Sequence, residues 1–91
     1  MNEKLRQAVF LRDNYECRNC GVKEWLIPHH IIPKRRGGKD ELDNLIILCD
    51  KCHEMVHQGA NAFIGFWVKH FREVIKSINK KNKNFQKKLG I

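Results

Sequence analysis

The fold is decided by residues 45–57, which read LIILCDKCHEMVH. The first four residues form a short apolar run, which predicts a buried β-strand. Asp50 is a residue type that caps helices, so the pattern predicts a helix that begins at Lys51 and that Gly59 would end. The stretch therefore predicts a strand that leads directly into a short helix.

Four cysteines form two identical pairs, Cys17-x-x-Cys20 and Cys49-x-x-Cys52. Each pair can present two sulfurs from one tight turn, and two such pairs complete a tetrahedron around Zn²⁺. Because thiolates of the protein would fill every coordination position, this zinc is predicted to be structural. Four buried free cysteines and disulfide bonds are the alternatives.

Four of the histidines suggest a second metal site. His53 and His57 lie four residues apart, so they project from one face of the predicted helix, the spacing of paired metal ligands. His29 and His30 lie in a predicted strand, where alternate side chains point to opposite faces. Three imidazoles, from His29, His53 and His57, would leave coordination positions open for water and a phosphate oxygen. His30 is then suited to accept a proton from the water.

The helix that is predicted to begin at Lys51 would contribute ligands to both metal sites. Cys52 and His53 are consecutive residues, and consecutive helical residues point about 100° apart. The same helix can therefore face the structural zinc with Cys52 and the second metal with His53. A histidine pair alone is also compatible with a structural or simply polar role.

The rest of the chain contains four further predicted elements. Periodic apolar residues predict a helix over 3–13, and a β-rich run places a first strand near 29–32. The run 41–44 is predicted as a turn or one helical turn. Asn61 would cap a longer helix that ends near Lys80 and has one apolar stripe, with a mobile tail after it. The stripe consists of Phe63, Phe66, Trp67, Phe71, Val74, Ile75 and Ile78.

Composition indicates one small basic domain. The chain has 91 residues, 42% of them hydrophobic and 31% charged, with a formal net charge of +8. Residues 1–68 carry ten Lys/Arg and nine Asp/Glu, whereas residues 69–91 carry eight Lys/Arg and one Glu. The positive charge is therefore concentrated at the C-terminal end, which predicts a polyanionic partner such as nucleic acid.

The sequence predicts a cytoplasmic protein with no membrane partner. It contains no run of about eighteen apolar residues, and residues 1–15 have no signal-peptide pattern. Cysteines in such a reducing compartment are more often metal ligands than disulfides.

Taken together, the motifs over residues 6–57 resemble those of an HNH endonuclease with an added four-cysteine zinc site. In chain order they are Cys17-x-x-Cys20, His29-His30-Ile31-Ile32-Pro33, Gly37-Gly38, Asp43-Asn44-Leu45, Leu48-Cys49-x-x-Cys52-His53 and His57. The resemblance implies an α+β fold: a ββα-metal (His-Me finger) core stapled by the zinc site, with an N-terminal helix and a basic C-terminal helix. Residues 1–60 would form the nuclease core, and 61–91 the basic helix and tail of the same domain.

The resemblance also implies roles for individual residues. His30 maps to the general base, and Asn44 maps to the residue that holds the loop and orients this base. His29, His53 and His57 map to the ligands of a catalytic divalent cation, which could be Mg²⁺, Mn²⁺, Ni²⁺ or Zn²⁺. The implied activity is metal-dependent hydrolysis of DNA phosphodiester bonds by a one-metal mechanism, as in phage and prokaryotic HNH nucleases.

DNA contacts are predicted to be made mostly to phosphates, which gives affinity without sequence selectivity. The predicted contact residues lie in the basic loop and in the C-terminal helix: Lys34, Arg35, Arg36, Lys39, Lys69, Arg72, Lys76 and Lys80. A homodimer or a larger phage or restriction assembly would allow double-strand cleavage. Two alternatives stay open, namely a zinc-finger nucleic-acid-binding module without catalysis and a subunit of a larger assembly.

Overall fold

A two-stranded antiparallel sheet and three α-helices make up the part of the chain that the computed structural model describes, residues 1–58 and 64–81. In chain order they are α1 (Glu3–Arg12), β1 (Leu26–His30), β2 (Leu45–Cys49), α2 (Asp50–Gln58) and α3 (Ile64–Lys81). Two short 3₁₀ turns, Lys34–Arg36 and Leu42–Asn44, lie in the connection between the strands. The predicted α+β class and the strand–strand–helix order are confirmed.

The two strands pair with Leu26 opposite Cys49 and His30 opposite Leu45. The first strand therefore lies earlier than the predicted span near 29–32. After His30, the Ile31 N–H still donates to the Asn44 carbonyl (2.8 Å) in the register of the strand pairing, but the Ile32 N–H binds the Asn44 side chain (2.9 Å) and the ladder ends. Pro28, which has no N–H, is accommodated because each strand of a two-stranded sheet has an unpaired edge.

Strand β2 is fully buried and separates two apolar clusters. Ile46 and Leu48 contact the cluster that includes Phe71 and Ile75 of α3. Leu45 and Ile47 point to the other face and pack with residues of α1. Alternation along one buried strand thus joins the N-terminal and C-terminal helices to the same hairpin.

The apolar stripe of α3 is only partly core. Phe71, Ile75 and Ile78 are buried, but Phe66 is 62% exposed, so this part of the stripe lies outside the core. Phe66 stacks instead on the exposed ring of His70, one helical turn away (5.9 Å between centroids). Phe63 lies outside the described residues, as do the predicted helix end at Gly59, the cap at Asn61 and the tail beyond 81.

The predicted starts of the first two helices are close to the observed ones. Asn2 caps α1 by accepting a hydrogen bond from the Leu5 N–H (2.7 Å). Helix α2 begins at Asp50 itself, one residue before the prediction, and the Asp50 carboxylate accepts from the Lys51 N–H (2.9 Å). None of the described helices is long and apolar enough to span a lipid bilayer.

A buried ion pair ties the end of α1 to the hairpin. Arg12 and Asp13 are almost completely inaccessible, and Arg12 Nε donates to Asp13 Oδ1 (2.8 Å). The Arg12 guanidinium also donates to the carbonyls of Leu42 (2.5 Å) and Leu45, while Asp13 accepts from the Ile47 N–H (2.8 Å). The ion pair therefore holds in place the 3₁₀ turn Leu42–Asn44, which contains the predicted site residue Asn44.

Candidate functional site

The four cysteines converge on one point. Their sulfur atoms all lie within 4.8 Å of one another, and the residues are free thiols. Cys17 and Cys20 occupy the turn after α1, which Gly21 closes with a φ of 85° and a hydrogen bond to the Cys17 carbonyl (2.8 Å). Cys49 ends β2 and Cys52 lies in the first turn of α2.

The spacing of the sulfurs fits a tetrahedral metal site. Two thiolates at the Zn–S distance of about 2.3 Å lie roughly 3.8 Å apart in a tetrahedron, and Cys20 Sγ lies 3.6 Å from Cys49 Sγ. The disulfide alternative does not apply, since the cysteines are free. The four-cysteine cluster is therefore suited to hold a structural metal, as its spacing in the sequence predicts.

The thiols of this cluster differ in acidity. Burial alone would raise the pKa of Cys17, but hydrogen bonds to its sulfur from neighbouring backbone N–H groups and from Cys52 outweigh it and lower the pKa to about 7. Burial raises the pKa of Cys52 to about 12, although Asn19 donates to its sulfur (3.4 Å). The thiolate of Cys17 is thus stabilised and attracts a cation. A bound cation would then favour release of the protons from the other three thiols.

Three histidines form the second cluster. The ligand nitrogens of His29, His53 and His57 lie within 4.8 Å of one another. Nε2 of His53 is 3.1 Å from Nε2 of His57, close to the roughly 3.3 Å between two imidazole nitrogens on one tetrahedral metal. Two ligands come from one face of α2 and the third from β1, so the hairpin and the helix together assemble the set.

Burial favours the neutral form of the His29 and His53 imidazoles, which is the form that binds metal. His29 is 7% exposed and its ring lies edge-on to Phe71 (5.8 Å between centroids). Burial, and then the charges of the neighbouring histidines, lower the pKa of His29 to about 4. Burial followed by the charge of His57 also lowers the pKa of His53.

His30 lies outside the three-histidine cluster. It is the last residue of β1 and adjoins His29, whose side chain points to the opposite face of the strand. Nε2 of His30 lies 2.6 Å from Oδ1 of Asp40, a residue of the connection between the strands. The sequence motifs did not single out Asp40, because ten residues separate it from His30 and only the fold brings the two together.

Asn44 holds the connection between the strands in shape. Its side-chain oxygen accepts from the Ile32 N–H (2.9 Å), and its amide nitrogen donates to the carbonyls of Ile32 (3.1 Å) and Lys39 (3.0 Å). Gly38 fits here because a β-carbon would lie 1.7 Å from the Ile32 carbonyl oxygen. Asn44 and Gly38 thus fix the shape of this connection, while the role of Asn44 in orienting the general base stays a prediction.

Several of the predicted DNA-contact residues line two clefts beside this connection. One cleft, of about 840 Å³, lies between the basic loop and α3, and its cationic lining residues are Arg36, Lys69, Arg72 and Lys76. A second, of about 340 Å³, is lined by Asn44, Lys39 and again Arg72. Lys34 lies 3.2 Å from Asp40 instead, and Arg35 and Lys80 line neither cleft.

Comparison with known proteins matches the centre of the chain to one family. A sequence model described as HNH endonuclease matches residues 17–59, the segment that holds both ligand clusters. The chain is also similar to anaredoxin of Nostoc sp. (strain PCC 7120), with 32% identity over 59 residues that cover 64% of this chain and 78% of that protein. The chain belongs to the HNH endonuclease family.

Two further relatives are named as a restriction enzyme and as a probable endonuclease. The type IV methyl-directed restriction enzyme EcoKMcrA of Escherichia coli (strain K12) is 38% identical over 55 residues, which cover 50% of this HNH chain and 20% of the enzyme. The "Probable mobile endonuclease C" of Enterobacteria phage T4 is 39% identical over 46 residues, covering 44% and 22%. The chain thus spans about a fifth of each, and no solved structure matches it. The family and these relatives support a nuclease or nucleic-acid-binding role.

Proposed function

We propose that this HNH chain is a metal-dependent endonuclease that hydrolyses DNA phosphodiester bonds, with His30 as the general base. One observation carries the proposal: His29, His53 and His57 place three ligand nitrogens within 4.8 Å of one another, and His30 adjoins this cluster from the other face of β1. Phosphodiester hydrolysis needs both a cation near the phosphate and a base near the water.

The donor atoms suggest which cations the two clusters would hold. Four thiols at tetrahedral spacing suit Zn²⁺ in a structural role, because no coordination position is left for substrate. Three imidazoles leave positions open and suit Zn²⁺, Ni²⁺ or Mn²⁺, whereas Mg²⁺ prefers oxygen ligands and would need water and phosphate to complete its shell. A divalent cation bound by the histidines would stabilise negative charge on the phosphate and on the leaving 3′ oxygen.

The protein's own residues have separate tasks in this proposal. His30 accepts a proton from the attacking water, which supplies the nucleophile. Asn44 keeps the strand connection in place, so that His30 and the basic loop hold a fixed position relative to the histidine cluster. His53 contributes to catalysis as a ligand, because its ring lies against both other imidazoles of the cluster (4.3 Å from His57 and 5.3 Å from His29 between centroids).

The DNA backbone is proposed to lie along the larger basic cleft. Among the residues that the structure describes, four cationic side chains from two separate elements line it, and Glu73 is the one acidic residue that does. The apolar side chains of Ile32, Pro33 and Val68 also line it. Such a surface suits phosphates without reading bases, so affinity should fall steeply with salt. A monomer with one such site would nick one strand, and a homodimer or larger assembly would be needed to cut both.

Cleavage of supercoiled plasmid across Mg²⁺, Mn²⁺, Ni²⁺ and Zn²⁺ tests the proposal. We expect the wild type to produce nicked circles with at least one metal. His30→Ala should lower the rate by about 100-fold or more while zinc content and DNA binding are retained. His70→Ala is the matched control, because His70 is exposed on α3 and outside the cluster. A wild type that binds DNA but nicks with none of the metals would instead make the chain a non-catalytic zinc-dependent binding module.

A further inference from the structure

Asp40 contacts His30, the proposed general base, but has no role in the proposed mechanism. Its Oδ1 lies 2.6 Å from Nε2 of His30, whose side chain is 24% exposed, while the side chain of Asp40 itself is 31% exposed. Its other oxygen lies 3.2 Å from Nζ of Lys34 and 3.1 Å from the amino group of Met1. The carboxylate therefore sits between the imidazole and two cations.

The fold fixes the separation of Asp40 and His30. The amide of Asn44 binds backbone atoms close to both of them: the carbonyl of Lys39, directly before Asp40, and the N–H and carbonyl of Ile32, two residues after His30. The tight approach of Gly38 to Ile32 leaves no room for a side chain at position 38. The Asp40–His30 pair is thus part of the hydrogen-bonded connection and not a contact between two free surface side chains.

The charge of Asp40 decides which imidazole nitrogen carries the proton. The hydrogen bond from His30, with further contributions from the Met1 amino group and Lys34, holds the pKa of Asp40 well below its usual range. An ionised carboxylate can only accept hydrogen bonds. The nitrogen that faces it, Nε2, must then be the N–H donor of His30, which leaves the lone pair of the neutral ring on Nδ1.

We propose that Asp40 is a positioning residue that fixes the tautomer and orientation of His30, so that Nδ1 is the atom that receives the proton. The inference rests on the proposed role of His30 as general base. In the step, an O–H bond of water breaks and its proton moves to Nδ1, while the water oxygen bonds to phosphorus and the bond from phosphorus to the 3′ oxygen breaks. The leaving oxygen takes a proton from solvent. The resulting imidazolium keeps its Nε2–H bond to the Asp40 carboxylate, which stabilises the new positive charge.

The first test is spectroscopic and does not depend on activity. Long-range ¹H–¹⁵N correlation spectra of the zinc-loaded full chain report which ring nitrogen of each neutral histidine is protonated. We expect His30 to be protonated at Nε2 in the wild type and in Asp40→Asn, whose amide oxygen can still accept. Asp40→Ala should give a mixture of tautomers. Asp43→Asn is the matched control, because Asp43 lies in the same connection but receives a hydrogen bond from Asn79 (3.4 Å).

The second test measures cleavage kinetics of plasmid with Mn²⁺. Asp40→Ala should lower kcat by roughly 10- to 1000-fold, within the range of general base catalysis, with KM changed by less than about twofold. Asp40→Asn should fall between Asp40→Ala and the wild type, and Asp43→Asn should match the wild type. Unchanged zinc content and thermal unfolding would show that the fold is retained.

The outcomes separate this inference from the proposed function. Wild-type cleavage that is lost in His30→Ala but fully kept or increased in Asp40→Ala would overturn the role of Asp40 alone. His30 protonated at Nδ1 in the wild type would overturn it as well. A wild type that does not cleave, or that cleaves as well after His30→Ala, would overturn the proposed function, and with it the positioning role.

Discussion

Cys52 and His53 are consecutive residues of α2, yet they belong to different ligand clusters. Cys52 is buried among the other three thiols, whereas His53 faces His29 and His57. The rotation of about 100° between neighbouring helical residues produces this division. The orientation of the first turn of α2 therefore sets the position of a ligand in each cluster.

Loss of the thiol cluster should disorder the histidine cluster. In a Cys49→Ser/Cys52→Ser variant we expect loss of bound zinc, weaker binding of Mn²⁺ and loss of cleavage, because the start of α2 is no longer anchored to the turn after α1. Metal analysis and plasmid cleavage measure this. Met55→Ser is the matched control, since Met55 lies on the same helix with an exposed side chain. A folded double variant that lacks zinc and still cleaves would show that the two clusters are independent.

The free energy of unfolding should decrease as the pH is lowered, because of His29. Burial lowers its pKa from 6.5 to about 4 in the folded state, so between these values the unfolded state binds more protons and acid favours unfolding. With zinc at one equivalent and no other metal, the free energy of unfolding should decrease by about 2 kcal/mol from about pH 7 to about pH 5.

Urea denaturation at both pH values, compared with His29→Gln, checks this expectation. The variant has no titrating ring at position 29, so its unfolding free energy should depend less on pH over the same range. Equal slopes for the two proteins would mean that His29 does not carry the effect.

Removal of the buried guanidinium should destabilise the protein strongly. Arg12→Met leaves Asp13 buried without its closer cation, with Arg18 Nε still 3.5 Å away, and leaves the carbonyls of Leu42 and Leu45 without the Arg12 donor. We expect a loss of about 3–5 kcal/mol in the free energy of unfolding, measured by denaturation of the zinc-loaded protein. Arg6→Met, which removes only an exposed cation over Phe10, should change it by about 1 kcal/mol at most. A similarly small loss for Arg12→Met would contradict the role of Arg12 in holding the 3₁₀ turn in place.

Gly38 and Gly65 should respond in opposite ways to alanine. A β-carbon at Gly38 would overlap the Ile32 carbonyl, whereas a β-carbon at Gly65 in α3 would have no atom of the described residues within 4 Å. We expect Gly38→Ala to destabilise the protein by about 1–3 kcal/mol and to lower kcat, since the connection that holds Asp40 must shift. Gly65→Ala should stabilise it by roughly 0.5–1 kcal/mol. Thermal unfolding and plasmid cleavage report both, and normal activity in Gly38→Ala would argue against a rigid connection.

Arg72 should contribute more to DNA affinity than Lys80. Arg72 lines both clefts, whereas Lys80 lines neither. In a His30→Ala background, which prevents cleavage, Arg72→Ala should weaken binding of a labelled duplex. It should also reduce the slope of log affinity against log salt by about 1. Fluorescence anisotropy over a KCl series measures both quantities. Equal losses for the two variants would indicate that DNA does not follow the clefts.

The sequence was sufficient to predict the ligand clusters but not the contacts around them. The pairs Cys17-x-x-Cys20 and Cys49-x-x-Cys52 and the spacing of His53 and His57 depend on local geometry, which spacing along a chain encodes directly. The pairing of His30 with Asp40 depends on the path of the strand connection, which no local pattern specifies.

The same limit applies to the buried and exposed residues. Arginine and aspartate are rarely fully buried, so residue type argues against the observed burial of Arg12 and Asp13. Phe66 is apolar but exposed, because the contact face of α3 is narrower than its apolar stripe. Tertiary partners, not residue types, decide these positions.

The ligands of the two clusters alternate along the chain: two cysteines, one histidine, two cysteines and two histidines. The span of the cysteine ligands, 17–52, therefore overlaps the span of the histidine ligands, 29–57, and a cut between His29 and Cys49 divides both clusters. The smallest segment that could be moved into another protein with both clusters complete runs from Cys17 to His57. The family match, residues 17–59, begins at the first residue of this segment and ends only two residues beyond its last.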